Sequence, residues 1–166
     1  MFHPEDTVVY STNGICTIGE ITEQSFCGEK REYYVLHPIY DTGATIFVPT
    51  DNEELTGKMR RVMTKEEINA LLNDIADSEE DWIESDTERK KQFDSILAGG
   101  DRRKLMQMIR TLYLHGQQQK KRGKKLHIAD ERCFREAEKI LYEEFAHVLQ
   151  ISTEEVIPYI REQLEV

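Results

Sequence analysis

Apolar and polar residues alternate over the first 50 positions in short runs that are typical of half-buried β-strands. Turn-forming residues at 13–14, 27–29 and 41–43 separate the runs. We read four strands there: DTVVYS, ICTIGEIT, REYYVLHP and ATIFVPT. Their spacing predicts a small, strongly bent antiparallel sheet or barrel, which residues 58–63 can complete as a fifth strand.

After Met63 the apolar residues recur at helical spacing. A capping box at Thr64 predicts a first helix over 64–78, which we assign as a connecting helix. Asp81, with Glu84 three residues later, predicts the start of a second helix that ends in the Ala-Gly-Gly run at 98–100.

Further helices are predicted from Asp101, from about Ala129 and from Ser152, where a second capping box opens a helix that Pro158 can kink. The chain therefore divides into a β module of residues 1–63 and an all-helical module of residues 64–166. The predicted fold class is α+β.

Charge is unevenly distributed along the chain. The net charge is −10, yet residues 89–125 hold 12 basic and 2 acidic groups, whereas residues 64–88 hold 1 basic and 10 acidic groups. A local positive field of this size can attract a polyanion in spite of the net charge. It is equally compatible with solvated helix faces that no partner touches.

Other function classes receive little support from the sequence. We find no run of 18 apolar residues, no phosphate-binding loop and no metal-ligand spacing, so we expect no membrane span, cofactor, metal or small-molecule substrate. Three cysteines without CxxC spacing suit a reducing cytoplasm. Cys16, His37 and Asp41 could form a nucleophilic set only if the fold brought them together, so an enzyme is the least favoured reading.

Trp82 is the only tryptophan, and it lies in the acidic stretch 74–88. If residue 82 is helical, the positions three, four and seven residues later are Ser85, Asp86 and Arg89, none of them apolar. This pattern favours an exposed or partner-facing tryptophan, a frequent interface anchor. Arg89 would then be placed to reach a phosphate beside it.

Several motifs in combination are distinctive. The β module contains DTVVYSTNGICTIGEI, REYYVL and ATIFVP, and the helical module contains a lone tryptophan before LAGGD, followed by LMQMIRTLYLH, KKLHIADER and AEKILYEEFA. Together these motifs resemble the CarD family of bacterial RNA-polymerase-interacting regulators. The resemblance covers nearly the whole chain. It implies a Tudor-like, SH3-like small β barrel followed by a compact all-helical domain.

The resemblance also implies two partners. The barrel would dock on the RNA polymerase β subunit, partly through a strand edge, using Gln24, Ile46, Phe47 and Val48. Gln24 and Phe47 stand where some members have arginine, so we expect a more apolar contact.

The helical domain would meet promoter DNA at the upstream edge of the transcription bubble, where Trp82 would wedge at the minor groove. The candidate DNA contacts are Trp82, Arg89, Lys90, Arg102, Arg103, Lys124 and Lys125. The leading hypothesis is therefore a non-enzymatic, cytoplasmic regulator, associated with the nucleoid through the polymerase, that stabilises the promoter open complex. A polymerase-binding adaptor that does not engage DNA is the alternative.

Overall fold

The computed structural model describes residues 2–26, 28–77 and 82–164. The chain forms two compact units, Met1–Val62 and Met63–Val166. The division lies one residue from the boundary that the change in hydrophobic period predicts.

The first unit is built on a five-stranded antiparallel sheet, and it confirms the predicted strands and the α+β class. The strand order is β4-β3-β2-β1-β5. The strands are β1 Thr7–Tyr10, β2 Ile15–Phe26, β3 Glu29–Pro38, β4 Ile46–Pro49 and β5 Met59–Arg61. A short helix that the sequence did not predict, α1 Glu53–Thr56, lies between β4 and β5.

One face of this sheet is the core of the first unit. The residues on it include Val8, Ile18, Leu36 and Val48, each wholly buried. Between Ile18 and the next paired residue the register shifts by a bulge at Gly19. A Cβ atom at Gly19 would lie 2.6 Å from Nε2 of His37, so the bulge fits a glycine best.

Helices form the second unit. Their bounds are α2 Lys65–Ala76, α3 Asp86–Gly99, α4 Arg102–Lys121, α5 Ile128–Leu149 and α6 Val156–Leu164. The capping box at Thr64 is confirmed, because its side chain accepts from the N–H of Glu67 and the Glu67 carboxylate accepts from the N–H of Thr64. Gly100 ends α3 in the left-handed conformation, with φ of 70°.

Two predicted helix starts are wrong. Helix α3 begins at Asp86 with Ser85 as its cap, not at the Asp81–Glu84 signal, of which Asp81 lies outside the described residues. Residue 82 is therefore not helical. At Ser152 the side chain caps no backbone N–H, and a single 3₁₀ turn, Thr153–Glu155, precedes α6.

The position of Pro158 in the terminal helix gives no reason for the kink that the sequence allows. Pro158 is the third residue of α6. There its missing N–H removes no hydrogen bond within that helix.

A buried carboxylate connects three parts of the second unit. Glu144 on α5 is only 1% exposed. Its oxygens accept from the N–H of Met63 at 2.8 Å and from Nε and Nη2 of Arg102 at 2.9 and 2.8 Å. These bonds satisfy a charge that would otherwise be costly to bury, and they fix α4 against α5.

Candidate nucleic-acid interface and docking face

Trp82 lies in the non-helical segment before α3 and is partly buried against the helical core. Its ring stacks on the imidazole of His115 from α4, with ring centroids 3.6 Å apart and planes within 4°. Phe93 on α3 approaches edge-on at 6.4 Å. The helical-face argument for an exposed or partner-facing Trp82 does not hold, because α3 begins after residue 82.

Arg89 holds this segment in place. Its guanidinium carbon lies 4.6 Å from the centroid of the Trp82 ring, a cation–π contact. Nε and Nη2 donate to the two oxygens of Asp130 on α5, both at 2.9 Å. Nη2 also donates to Asp86 at 2.6 Å, and Nη1 donates to the backbone oxygen of Ile83 at 2.8 Å.

These contacts shift the protonation of the groups around the indole. The hydrogen bond to Asp130 raises the pKa of Arg89, which therefore stays charged. The hydrogen bond from Arg89 lowers the pKa of Asp86. Burial, reinforced by the charge of Arg89, lowers the pKa of His115 below its ordinary value of 6.5, so the ring stacked on Trp82 is neutral near pH 7.

The structure separates the predicted phosphate contacts into two groups. Arg89, 4% exposed, and Arg102, whose side chain is 18% exposed, are committed to the buried carboxylates of Asp130 and Glu144. Burial therefore overturns the expectation that Arg89 contacts phosphate: its guanidinium positions Trp82 instead. Arg102 fixes α4 against α5 through its hydrogen bonds to Glu144.

The remaining predicted cations are accessible. Arg103 is half exposed and pairs with Asp74 at 2.5 Å. Lys90 is exposed and lies 3.7 Å from Asp94, a loose pair that water screens. Lys124 and Lys125 follow α4 and are exposed.

Sequence reasoning missed several residues beside Trp82. A cavity of about 290 Å³ has Trp82 in its wall, together with Lys104, Gln92 and Gln107. A second groove, of about 520 Å³, brings Lys91 and His127 to the Arg89–Asp130 pair. Only the packing of α3 against α4 and α5 creates these neighbours, and no spacing within one helix indicates it.

The predicted docking residues lie on both faces of the sheet. Tyr33 pairs with Thr22, and Val35 pairs with Phe47. Because directly paired residues share a face, Gln24 and Phe47 lie on the face opposite the core. Ile46 and Val48 lie on the core face, and Val48 is wholly buried, so its side chain cannot contact a partner.

An aromatic cluster occupies the face opposite the core. Phe26 and Phe47 are 46% and 40% exposed. Their ring centroids lie 5.4 Å apart, and Tyr33 packs edge-on against both rings, at 5.2 Å from Phe26 and 6.1 Å from Phe47. Exposed neighbouring aromatic rings of this kind are typical interface anchors.

The nucleophilic set considered from the sequence does not assemble on this sheet. Cys16 is wholly buried and its thiol donates to the Gly14 oxygen. His37 pairs with Thr17, one residue further along β2, and therefore points to the other face. Within the described residues, no three metal-ligating side chains cluster and no helix has the length and apolarity to span a bilayer.

Comparison with family models matches residues 2–63 to the CarD-like/TRCF RID domain and residues 67–161 to the CarD, C-terminal domain. A search of curated proteins found no match. The sheet module and the helical module thus point to an RNA-polymerase-interacting transcription regulator of a non-catalytic kind. The chain belongs to the CarD family.

Proposed function

We propose that this protein docks on the RNA polymerase β subunit through its sheet module and stabilises the promoter open complex through its helical module. The principal support is the arrangement around Trp82, which Arg89 and His115 hold at a partly exposed position. In this proposal the protein acts in the cytoplasm, at the nucleoid, wherever the polymerase opens a promoter.

A fixed indole is suited to act as a wedge. An apolar ring placed at an unstacked base step offsets part of the cost of melting the duplex. Because Trp82 is already held by its stack on His115 and its contact with Arg89, little side-chain entropy is lost when DNA binds. The open complex would therefore close more slowly in the presence of the protein.

Exposed lysines supply the phosphate contacts in this proposal. Lys104 shares the cavity wall with Trp82, and Lys90 and Lys91 line the groove beside Arg89. Lys124 and Lys125 extend the basic surface beyond α4. Lysine contacts to phosphate position a protein without reading sequence, so we expect an effect on promoters of different sequence.

Docking would use the face opposite the core. The aromatic cluster of Phe26, Tyr33 and Phe47, with Gln24 on the same face, offers an apolar contact surface. The strand β4 lies at one edge of the sheet, so its backbone can contribute as well. In this arrangement Ile46 and Val48 support β4 from the core side.

The lifetime of the open complex tests the proposal. Polymerase–promoter complexes are challenged with a competitor, with and without this protein, and the half-life of melted DNA is measured. We expect the native protein to lengthen the half-life and Trp82→Ala to remove most of that gain. Tyr113→Ala, which truncates an exposed aromatic on α4, is the matched control and should retain it.

An adaptor that binds polymerase without touching DNA is the second candidate. The observation in its favour is that Arg89 and Arg102 are consumed in buried ion pairs within a chain of net charge −10. For such an adaptor, Trp82→Ala would bind polymerase and prolong the open complex as well as the native protein does.

A further inference from the structure

The cavity beside Trp82 has an apolar floor and a polar rim. The floor consists of the apolar lining residues Phe93 and Met108, which are buried, and Ile96, which is half-buried. The rim consists of the polar lining residues Gln92 and Lys104, which are exposed, and Gln107, which is half-buried. Within the described part of the chain, the side-chain amides of Gln92 and Gln107 and the ammonium group of Lys104 make no intramolecular hydrogen bond or ion pair. The rim therefore presents donors, acceptors and a positive charge that the fold itself does not use.

The size and chemistry of the cavity favour one flat polar ring. Its volume of about 290 Å³ lies at the lower limit for small-molecule sites, roughly 300 Å³. Trp82, Phe93 and Met108 offer apolar surface to a ring, and a glutamine amide can donate and accept at once along a base edge. A positive charge at the rim is complementary to the phosphate attached to a nucleotide.

We propose that this cavity receives a single unpaired nucleobase, rotated out of the strand that Trp82 helps to separate. The base would lie against the apolar floor, with its pairing edge toward Gln107 and Gln92 and its phosphate near Lys104. Trp82 would then act as the wall of a base pocket as well as a wedge. The inference rests on the proposed function, since only a melted promoter supplies such a base at this position.

A captured base differs from simple wedging in one measurable respect. A wedge only needs the base pair to be broken, whereas a pocket gains free energy from one particular nucleobase. If that base is deleted from the DNA, substitutions of the pocket side chains should no longer change the half-life of the open complex. Substitution of Trp82 should still shorten it, because the wedge does not depend on that base.

The experiment combines protein variants with abasic promoters. Open-complex half-lives are measured with polymerase and the full-length protein, for promoters carrying one abasic site at each of the first unpaired positions on either strand. The variants are Gln107→Leu, which removes the amide at similar volume, and Gln107→Phe, which fills the cavity. Gln118→Leu, an exposed position on the same helix, is the matched control.

We expect both Gln107 variants to shorten the half-life on intact DNA, by roughly fivefold for the loss of one hydrogen bond. At one abasic position, and only there, the native protein and the Gln107 variants should become equal. Gln118→Leu should behave as native throughout.

Two other outcomes are distinguishable. If Trp82→Ala shortens the half-life but both Gln107 variants match the native protein on every promoter, the base pocket is wrong and the wedge stands. If the native protein does not lengthen the half-life at all, the proposed function is wrong and the inference is overturned with it.

Discussion

At the scale of single residues, Arg89 explains how Trp82 can lie in an acidic stretch. The carboxylates of Asp86 and Asp130 neutralise the guanidinium, and the guanidinium lies over the indole. Sequence spacing suggested that Arg89 would face DNA because it assumed one continuous helix. A charge with two carboxylate partners and almost no exposure is a positioning group. In the proposed function, the phosphate contacts are therefore assigned to the exposed lysines around it.

Replacing Arg89 should destabilise the helical unit strongly. Arg89→Met leaves Asp130 buried without a partner, which costs about 3–5 kcal/mol in the free energy of unfolding. Lys90 is the exposed neighbour of Arg89 and provides the control, since Lys90→Met should change the free energy of unfolding by less than about 0.5 kcal/mol. Urea unfolding measures both, and equal midpoints for the two variants would contradict the structural role assigned to Arg89.

The stack of His115 on Trp82 should make stability depend on pH. The pKa of His115 is lowered in the folded state, so the unfolded chain takes up this proton first as the pH falls. The contribution of neutral His115 to the free energy of unfolding is present above about pH 6.5 and is lost as the pH falls below that value.

Comparison with His115→Phe isolates this effect, because phenylalanine keeps the ring contact without a titratable group. We expect the urea midpoint of the native protein to fall more steeply between pH 7.5 and 5.5 than that of the variant. Fluorescence of Trp82, the only tryptophan, reports the transition. Parallel pH profiles would show that His115 does not couple to folding.

At the scale of elements, strand register decides which side chains can face a partner. The pairing of β3 with β2 and β4 brings Phe26, Tyr33 and Phe47 together, although they lie on three different strands. Alternation along β4 alone predicts that Phe47 and Val48 face opposite sides of the sheet. Only the register shows that Phe26 lies beside Phe47.

Truncation of this aromatic cluster should weaken binding to polymerase. Phe47→Ala removes an aromatic ring from the proposed docking face, and the loss of such an interface anchor typically raises Kd by about tenfold or more. Ile21→Ala is the control, because Ile21 is exposed on the same hairpin but pairs with Tyr34 of the core face. Binding of the full-length chain to polymerase gives the values, and equal losses for the two variants would argue against this face.

The same scale shows what local sequence can predict. The capping box at Thr64 and the glycine stop at Gly100 are local backbone chemistry, and both form as predicted. Ser152 has the same motif but begins a 3₁₀ turn, because its hydroxyl donates to the Glu155 carboxylate instead of accepting a backbone N–H. The start of α3 was misplaced because several polar residues before it can serve as caps.

At the scale of the whole molecule, the net charge conceals an uneven distribution of charge along the chain. The net charge is −10, while the exposed cations are concentrated in residues 89–125. Fold class and family followed from hydrophobic period and motifs. His115 and Gln107, which lie beside Trp82, come from α4, so no pattern in the sequence around residue 82 could identify them.

The position of Trp82 on promoter DNA is the central claim, and site-directed crosslinking tests it most directly. The chain with Trp82→p-benzoylphenylalanine is bound to a polymerase–promoter open complex and irradiated, and the crosslinked nucleotides are mapped. We predict crosslinks confined to the upstream edge of the bubble, and none when the same group replaces Tyr113. Crosslinks to polymerase alone, or to DNA at other positions, would contradict the account.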